Sequence, residues 1–364
     1  MKKIIISLIL ILSIPIYSQS IKLEQEVVYK GDFIGSIGQV ALDSKGQIYI
    51  GDLINGNIHL FSPSGKYIKQ IGRKGNGPGE FQYIWGLQVI EKDSIYVLDG
   101  GLNRITVFAP DQFDYPAYTI KVIGGPNGEA ITTVGLQNGG TNGLWMYKNN
   151  IFVSYQMYYS NENLNKLHYL KIYRLNHKGK IADKTPLVNI RGMDRLITQG
   201  KGFMISNMPF GQVPIIQLGS EGYFYFGNSD DFNIKSVDLT GKIVRELKYK
   251  EKPIRIRATM WEEVIKKNEY LTREMLKNSL TPLPEYKRVF EDFVIDDNGM
   301  IWVAVNTKST KNYTWMIFDQ KNKLITKFKF PKSVILKIVK KNYAYGIYTD
   351  DMGFQSIVKY KINK

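Results

Sequence analysis

The sequence is short of the residues that most often carry chemistry: its 364 residues include no cysteine and only three histidines. Without thiols the chain can form no disulfide, use no thiolate nucleophile and hold no cysteine-ligated metal. It also has no run of 18 or more apolar residues, which excludes a bundle of membrane-spanning helices. What it has in quantity is aromatic side chains, with 24 Tyr and 17 Phe, and this composition predicts a folded chain with a large core.

The N-terminal segment has the pattern of an export signal. Lys2 and Lys3 precede an apolar run over residues 4–14, and Pro15 and Ser18-Gln19-Ser20 follow it. We therefore expect residues 1–20 to be a Sec signal peptide, an uncleaved anchor being the alternative. Because no cysteine is available to carry a lipid, the mature protein is expected to be periplasmic or secreted, not a lipoprotein, and without a transmembrane span.

Six segments of the chain share one pattern, in which a polar turn is followed by a strand of alternating apolar and aromatic residues. A second turn follows at a regular distance, since Asp52 and Gly65, like Asn228 and Gly241, are 13 residues apart. Gly and Asn at such turns supply the positive φ that tight hairpins need. Each repeat is therefore predicted to be a four-stranded antiparallel meander, with strands A to D. The six segments begin at Asp43, Glu91, Lys148, Gly219, Asp296 and Lys340.

Six four-stranded meanders predict an all-β fold, a six-bladed β-propeller whose blades pack face to face around an axis. Because the last unit supplies only three strands, the apolar strand 23–29 is expected to complete it and close the ring. A row of separate sandwiches is the alternative, and the lack of Pro/Gly/Ser-rich linkers argues against it. A single domain is expected over residues 21–364, with blades at 38–72, 84–120, 143–188, 214–249, 289–330 and 333–364.

Two segments resemble a known repeat. Ile71-Gly-Arg-Lys-Gly-Asn-Gly-Pro-Gly-Glu-Phe81 ends the first unit, and Tyr96-Val-Leu-Asp-Gly-Gly-Leu-Asn-Arg-Ile-Thr-Val-Phe108 lies in the second. Both look like NHL repeats, and the whole chain resembles the secreted six-bladed NHL-like propellers of Bacteroidetes-type bacteria. The resemblance is good over residues 38–111 and only at the level of pattern over residues 143–364. It implies the fold much more than any activity.

The long connections of the predicted ring all leave the same face. In a propeller the B–C loops and the connections from strand D to the next strand A lie on one face, and the A–B and C–D turns lie on the other. Loops of more than about 12 residues are uncommon unless they bind or gate something, so this loop-rich face is predicted to be the working surface. The long connections span residues 121–142, 155–167, 189–213, 250–288 and 306–313.

Candidate ligand-binding residues lie on the loop-rich face. Tyr and Phe provide binding area at low entropic cost, although each ring could equally fold over a blade end as a satellite core. The Gly-rich run of residues 72–79 lacks the ending of a phosphate-binding loop, but charged side chains beside it could contact a ligand. Arg104 could instead link neighbouring loops. The candidates are Arg73, Lys74, Glu80, Arg104, Tyr155, Tyr158, Tyr159, Phe210, Trp261 and Tyr313.

Residues 250–288 are predicted to be a helical insertion between blades four and five. Thr259-Met-Trp-Glu262 has the pattern of a capping box, and apolar residues follow at helical spacing from Trp261 to Met275. Pro282 and Pro284 then end the helix. The apolar stripe of this helix must pack on something. Packing across the channel mouth and a role as a lid or partner-docking element both remain open.

An alternative metal site involves Asp52, Asp99, Asn228 and Asn306, which recur at the end of strand B. Four oxygen ligands at a channel mouth could hold Ca²⁺, as in lactonase-like six-bladed enzymes. The competing interpretation is that each side chain caps its own B–C turn. Apart from this Ca²⁺ alternative, no cofactor is expected. The three histidines, His59, His168 and His177, are predicted to lie too far apart to bind Zn²⁺ or to form a Ser-His-Asp triad.

Positive charge is concentrated in the last third of the chain. The formal net charge is +16, and residues 242–364 hold 26 basic and 14 acidic side chains. Lysines that alternate with apolar residues on an outer strand also protect a sheet edge. A one-sided field nevertheless favours an anionic partner, such as an acidic glycan or the envelope surface. The export signal disfavours nucleic acid.

These patterns together predict a secreted or periplasmic propeller that binds a protein, peptide or glycan through its loop-rich face and is not an enzyme. One alternative is a Ca²⁺-dependent hydrolase or lyase, lactonase-like in design, with its site at the channel mouth. A second is a subunit of an envelope complex assembled through the helical insertion. No residue is assigned a catalytic role, because no catalytic constellation is visible in the sequence.

Overall fold

Six four-stranded antiparallel sheets follow one another along the chain. A computed structural model describes residues 21–123, 140–156, 164, 166–199, 203–268 and 270–363. Within these residues there are also two two-stranded sheets and two α-helices. The four-stranded sheets are the blades of a six-bladed β-propeller, and the helices lie between the fourth and fifth blades, as the sequence predicts.

The first half of the ring contains three blades. Strand β1 (Lys22–Tyr29) precedes the first blade, which consists of β2 (Ile37–Leu42), β3 (Ile48–Asp52), β4 (Asn57–Phe61) and β5 (Tyr67–Ile71). A short parallel pair, β6 (Arg73–Lys74) and β7 (Glu80–Phe81), leads to the second blade with β8 (Ile84–Val89), β9 (Ile95–Asp99), β10 (Arg104–Phe108) and β11 (Tyr118–Lys121). The third blade consists of β12 (Gly140–Tyr147), β13 (Asn150–Gln156), β14 (Tyr169–Leu175) and β15 (Val188–Arg191).

The second half of the ring carries the insertions. A hairpin of β16 (Arg195–Gln199) and β17 (Phe203–Asn207) precedes the fourth blade, which consists of β18 (Pro214–Leu218), β19 (Phe224–Asn228), β20 (Asn233–Val237) and β21 (Ile243–Lys248). Helices α1 (Ala258–Lys267) and α2 (Arg273–Lys277) follow. The fifth blade contains β22 (Phe290–Ile295), β23 (Ile301–Val305), β24 (Asn312–Phe318) and β25 (Leu324–Pro331), and the sixth contains β26 (Val334–Lys340), β27 (Tyr343–Thr349) and β28 (Gln355–Asn363).

One local hydrogen-bond pattern shapes many of the hairpin turns. In the turn that joins β20 to β21, Oδ1 of Asp238 accepts hydrogen bonds from the backbone N–H groups of Thr240 and Lys242. Gly241 then adopts φ +86°, a left-handed conformation that costs a side-chain-bearing residue free energy. Asn322 holds the equivalent place in the fifth blade with φ +64°. The polar turn signals of the sequence therefore act through aspartate caps and left-handed backbone.

The hydrophobic core lies between neighbouring blades. Strands β3, β4 and β23 are buried along their whole length, because each blade is covered on both faces by its neighbours. One cluster joins Ile58 and Leu60 of the first blade to Phe81, Ile84 and Leu87 at the start of the second. Full burial of such side chains contributes roughly 1.5–3 kcal/mol each. Apolar burial between neighbouring blades therefore holds the ring together.

The ring is closed by pairing between the two ends of the described chain. Strand β1 lies antiparallel to β28 at the outer edge of the sixth blade, with Lys22 opposite Asn363 and Tyr29 opposite Ile357. The Tyr29 hydroxyl donates a hydrogen bond of 3.0 Å to the carbonyl oxygen of Pro63 in the first blade. The same strand therefore completes one blade and contacts the next.

The two insertions pack on each other. Leu196 of β16, Met208 and Leu271 form a buried cluster, and the partly buried Trp261 and Met275 of the helices pack against it. The predicted capping box at Thr259 is wrong: α1 begins at Ala258, and its N-terminal cap residue Arg257 makes no side-chain capping bond. We name the hairpin β16–β17 and the helices α1 and α2 together the cap. In the part of the chain that the structure describes, no helix is both long and apolar enough to cross a membrane.

Candidate ligand-binding site

The innermost strands of the six blades surround a cavity of about 720 Å³. Its wall is made by the first strand of each blade, β2, β8, β12, β18, β22 and β26. We call the end of the cavity on the loop-rich face the mouth. It is formed where each strand A begins and each strand B ends. The mouth is lined by Trp85, Asn142, Ser154, Gln156 and Arg195.

Arg195 is the positive charge that the cap brings to the cavity. It is the first residue of β16, and it lines the cavity although it belongs to no blade. Its carbonyl oxygen accepts a hydrogen bond of 2.8 Å from the Thr281 hydroxyl, so both halves of the cap fix this backbone. Its Nη1 donates to Oδ1 of Asn207, whereas its buried Nε has no hydrogen-bond partner. Among the described residues Arg195 makes no ion pair, so its charge is available to a ligand.

Side-chain amides supply most of the remaining polar groups. Gln39, Gln88 and Gln217 come from the innermost strands of three blades and line the cavity. No hydrogen bond joins these three amides to another side chain or backbone group within the described chain. Each amide provides both donors and an acceptor, so the wall can pair with a ligand that has hydroxyl, amide or carboxylate groups.

A second set of polar groups at the mouth is already ordered. The Ser154 hydroxyl, 1% exposed, donates a hydrogen bond of 2.5 Å to Oδ1 of Asn142. The Nδ2 of Asn142 donates in turn to Oε1 of Gln156 at 3.3 Å. This chain fixes the orientation of the Asn142 amide and leaves the Nε2 of Gln156 as a donor toward the mouth.

An aromatic pair forms another part of the mouth. The rings of Tyr83 and Trp85 stack with centroids 6.3 Å apart and planes 30° apart. The indole packs directly on Gly100, since a β-carbon there would lie 1.9 Å from Cε3 of Trp85. Lys74 lies over the other ring, its Nζ 4.7 Å from the Tyr83 centroid. The missing side chain at Gly100 therefore leaves the space that the Trp85 ring occupies beside the cavity.

The cavity has a charge difference along its axis. Near the mouth, Lys337 lines the wall and pairs with the nearly buried Asp292 at 2.6 Å, which leaves Arg195 as the unpaired charge there. At the opposite end, the cavity is lined by two carboxylates, Asp296 and Asp297, and by one ammonium group, Lys340 at the end of β26. The Asp296 carboxylate accepts hydrogen bonds from Trp302 Nε1 and from the backbone of its own turn. An anion is therefore attracted toward the mouth rather than the opposite end.

The four charged candidates near the Gly-rich run are used to hold that loop. Arg73 pairs with Glu80 at 2.7 Å, and the Nζ of Lys74 donates to the carbonyl oxygen of Gln82. Arg104 donates to the carbonyl oxygens of Asn76, Gly77 and Glu80. This agrees with the alternative interpretation, in which Arg104 links neighbouring loops. A hydrogen bond from the Gly77 N–H, followed by the bond from Arg73, holds the pKa of Glu80 below its ordinary value.

The aromatic candidates fall into different environments. Tyr155 and Tyr313 are only 4% and 8% exposed, so the expectation that these rings are exposed in loops is corrected: both are buried and lie in strands β13 and β24. Phe210 contacts Trp261 edge to face at 5.1 Å, with φ +61° at Phe210. These two rings join the cap to the loop before the fourth blade. Tyr158 and Tyr159 lie outside the described residues.

Asp52 and Asp99 are bonded to their own loops. The Asp52 carboxylate is fully buried and accepts hydrogen bonds from the backbone N–H groups of Gly35, Ser36, Ile54 and Asn55. Burial opposes its ionisation, but the bonds from His59, Asn55 and Gly35 outweigh this and hold the pKa of Asp52 well below its usual range. Asp99 accepts four equivalent backbone bonds in the second blade. Each carboxylate thus joins a B–C loop to the preceding D–A connection.

Asn228 and Asn306 use donor atoms instead. The Nδ2 of Asn228 donates to the Arg191 carbonyl oxygen and to Oε1 of Gln212, and the Nδ2 of Asn306 donates to Oε2 of Glu291 at 3.4 Å. Within the described chain no three His, Asp or Glu side chains come close enough to hold a metal ion. Together with the saturated oxygens of Asp52 and Asp99, these donors do not form the set of oxygen ligands that Ca²⁺ requires.

Comparison with known proteins agrees with this architecture. A family described as a six-bladed β-propeller, DUF5128, matches residues 30–122, the first two blades. An exported protein of Bacteroides fragilis is 13% identical, with a TM-score of 0.56 and coverage of 94% of this chain and 96% of that chain. The likeness is one of fold. A member of the DUF4221 family from Bacteroides vulgatus gives 11% identity and a TM-score of 0.55, with 94% and 99% coverage. No curated protein matches the sequence.

Sequence reasoning missed the residues that line the cavity. Gln39, Gln88 and Gln217 lie in innermost strands, where an amide among apolar neighbours is itself a signal. Arg195 carried no such signal, because its position depends on how the cap packs on the ring. The long loops drew attention to the loop-rich face, whereas the polar groups that line the cavity come largely from strands.

Proposed function

We propose that this protein is a secreted or periplasmic binding propeller that takes its ligand, a protein, peptide or glycan, at the mouth of the central cavity. The observation that carries the proposal is Arg195, which lines the cavity, makes no ion pair among the described residues and has a buried Nε without a hydrogen-bond partner. An unpaired buried charged group costs free energy unless a ligand or water satisfies it. The export part of the proposal rests on residues 1–20 and on the similarity in fold to an exported protein.

The amides of the wall support the same site. Gln39 and Gln217 face the cavity without internal partners, so their presence is not explained by the stability of the blades. A concave site with a few converging polar groups is the usual form of a ligand pocket, and 720 Å³ lies within the usual size range. The cap fixes Arg195 in advance, which lowers the entropic cost of binding.

The test is a binding survey with a variant of the cavity wall. Fluorescently labelled protein of residues 21–364 is applied to glycan and peptide arrays, beside the double variant Gln39→Ala/Gln217→Ala. Because neither amide makes an internal hydrogen bond, the variant should fold normally and lose at least about tenfold in affinity for the true ligand. The matched control is Gln25→Ala, which removes an exposed amide from the outermost strand β1. Ligands that bind all three proteins equally would contradict the cavity as the site.

A further inference from the structure

We infer that the ligand is a saccharide that carries a carboxylate, and that this carboxylate binds Arg195 at the mouth of the cavity. The inference rests on the proposed function and narrows it to one chemical class, a uronic acid unit of a glycan. Three features of the mouth carry it: the unpaired Nη2 of one guanidinium, the unpaired amides of the wall, and an indole ring.

One nitrogen of the guanidinium is free to bind a ligand. Nη1 of Arg195 donates to Asn207 and Nε is buried without a partner, whereas Nη2 makes no hydrogen bond to any described group. The N–H groups of Nη2 can donate charge-assisted hydrogen bonds to a carboxylate oxygen. Asp292, a carboxylate of the innermost strand β22, is already paired with Lys337 at 2.6 Å. An anionic group of the ligand is therefore a suitable partner for Nη2.

The rest of the wall suits sugar hydroxyls. A hydroxyl both donates and accepts, and a side-chain amide offers both functions in return. Gln39, Gln88 and Gln217 lie on three different blades, so they surround a ligand on the axis. A phosphate-bearing ligand would favour several unpaired cations at the mouth. Among the described residues there, Arg195 is the one cation without a carboxylate partner, since Lys337 pairs with Asp292. One carboxylate and several hydroxyls match this set more closely.

The Trp85 ring offers an apolar surface for the face of a sugar ring. An indole presents a broad π-face on which the apolar face of a sugar ring can pack. The ring packs closely on Gly100, and Tyr83 stacks beside it. The indole and Arg195 line the same cavity. Together they can hold a flat, polar ring with one charged substituent.

The experiment measures calorimetric binding of trigalacturonate and of its neutral methyl ester to the protein of residues 21–364. We expect the acid to bind and the ester to bind at least about tenfold more weakly, because charge-assisted hydrogen bonds to the guanidinium are lost. Arg195→Ala should reduce binding of the acid by a similar factor while leaving the ester unaffected. Lys178→Ala, which removes an exposed lysine from a turn of the opposite face, is the matched control and should change neither affinity.

The outcomes separate this inference from the proposed function. Equal binding of acid and ester, or equal binding by wild type and Arg195→Ala, would overturn the inference while the cavity remains the site. No binding of trigalacturonate or of a glucuronate-containing hyaluronan tetrasaccharide at millimolar concentration would also overturn it. The array survey with the Gln39/Gln217 variant would then decide the proposed function separately. If Arg195→Ala does not fold, Arg195→Gln, which can still bond Asn207, takes its place, and the ester comparison needs no variant.

Discussion

Asp52 shows how one side chain can determine the geometry of the loop-rich face. Its two oxygens accept bonds from the loop before strand β2 and from the loop after strand β3. His59 Nε2 lies 3.4 Å from Oδ2, so the third strand of the blade is joined as well. The carboxylate therefore replaces water as the partner of backbone groups in two loops.

We expect Asp52→Asn to destabilise the protein by about 2–4 kcal/mol at pH 7, because an amide cannot accept all of these hydrogen bonds and carries no charge. The lowered pKa of Asp52 makes this contribution pH-dependent. Since the folded pKa lies below the unfolded value of about 4, the contribution is complete above pH 4 and is lost as the pH falls through the folded pKa. The difference between wild type and variant should therefore shrink toward low pH.

Urea unfolding at pH 7 and at successively lower pH measures this difference. The exposed Asp32 lies in the adjacent loop, and Asp32→Asn should alter stability by less than about 0.5 kcal/mol. A deficit in Asp52→Asn that stayed constant down to pH 2 would argue against an ionised, stabilising carboxylate.

The individual residues show where sequence patterns stop being informative. The capping role of Asp52 and Asp99 at the ends of their B strands could be foreseen, because it includes hydrogen bonds to backbone N–H groups two and three residues further along the chain. Tyr155 and Tyr313 could not be placed, since a tyrosine in a loop and one at a strand end look alike in sequence. Tyr313, for example, is buried in a cluster that the fifth and sixth blades share.

At the scale of elements, the cap is a small structure with its own core. Leu271 is 4% exposed and packs with Leu196 and Met208, and these contacts link the helices to the hairpin. The backbone N–H of Leu280 donates to the Ile197 carbonyl oxygen at 2.7 Å, so the segment after α2 is hydrogen-bonded to the hairpin. The position of Arg195 depends on this packing.

We expect Leu271→Ala to lower the local stability of the cap by about 2–4 kcal/mol, the usual cost of a cavity at a buried leucine. Hydrogen exchange should accelerate in residues 195–207 and 258–280 and stay unchanged in the blades, because the cap can open without opening the ring. Leu280→Ala, at a side chain that is 45% exposed, is the matched control. Faster exchange throughout the blades would show instead that the cap and ring unfold as one unit.

The helical insertion could be located from sequence, but its internal break could not. Apolar spacing continues past residue 268, yet α1 ends at Lys267 and α2 begins at Arg273. Oδ1 of Asn268 accepts a bond from the Tyr270 N–H, and the Thr272 hydroxyl caps α2 by accepting from the Met275 N–H. Asn and Thr compete with the helix for backbone groups in this way. The genuine capping signal is thus at Thr272 rather than Thr259.

At the scale of the whole molecule, closure of the ring depends on a single outer strand. Tyr29 of β1 is fully buried, its ring lies 6.1 Å from that of Phe61, and its hydroxyl bonds Pro63. Six repeated meanders could be recognised from sequence because turns and alternation are local. The concentration of positive charge in residues 242–364 can be counted from the sequence. The isolated positive charge of Arg195 at the mouth cannot be recognised there, because nothing in the sequence distinguishes it from the basic side chains that are exposed elsewhere.

Two variants of Tyr29 separate the hydrogen bond from the packing. Tyr29→Phe should cost about 1 kcal/mol, the net value of one hydrogen bond, whereas Tyr29→Ala should cost about 3–5 kcal/mol because it leaves a large cavity between blades. Tyr115→Ala, at a ring that is 83% exposed, should be nearly neutral. Equilibrium urea unfolding gives these values, and a small loss in Tyr29→Ala would mean that closure does not depend on this side chain.

Ring closure through β1 also sets the order in which the protein can fold. The hairpins within each blade join neighbouring segments, whereas Lys22 pairs with Asn363 across almost the whole described chain. Contacts of such high sequence separation form late, because the entropy of closing the loop is lost before the contact forms. Until then β28 has an unpaired edge, where a β1 strand from a second copy could add. The time that each molecule spends unclosed, rather than its final stability, therefore determines its exposure to strand exchange.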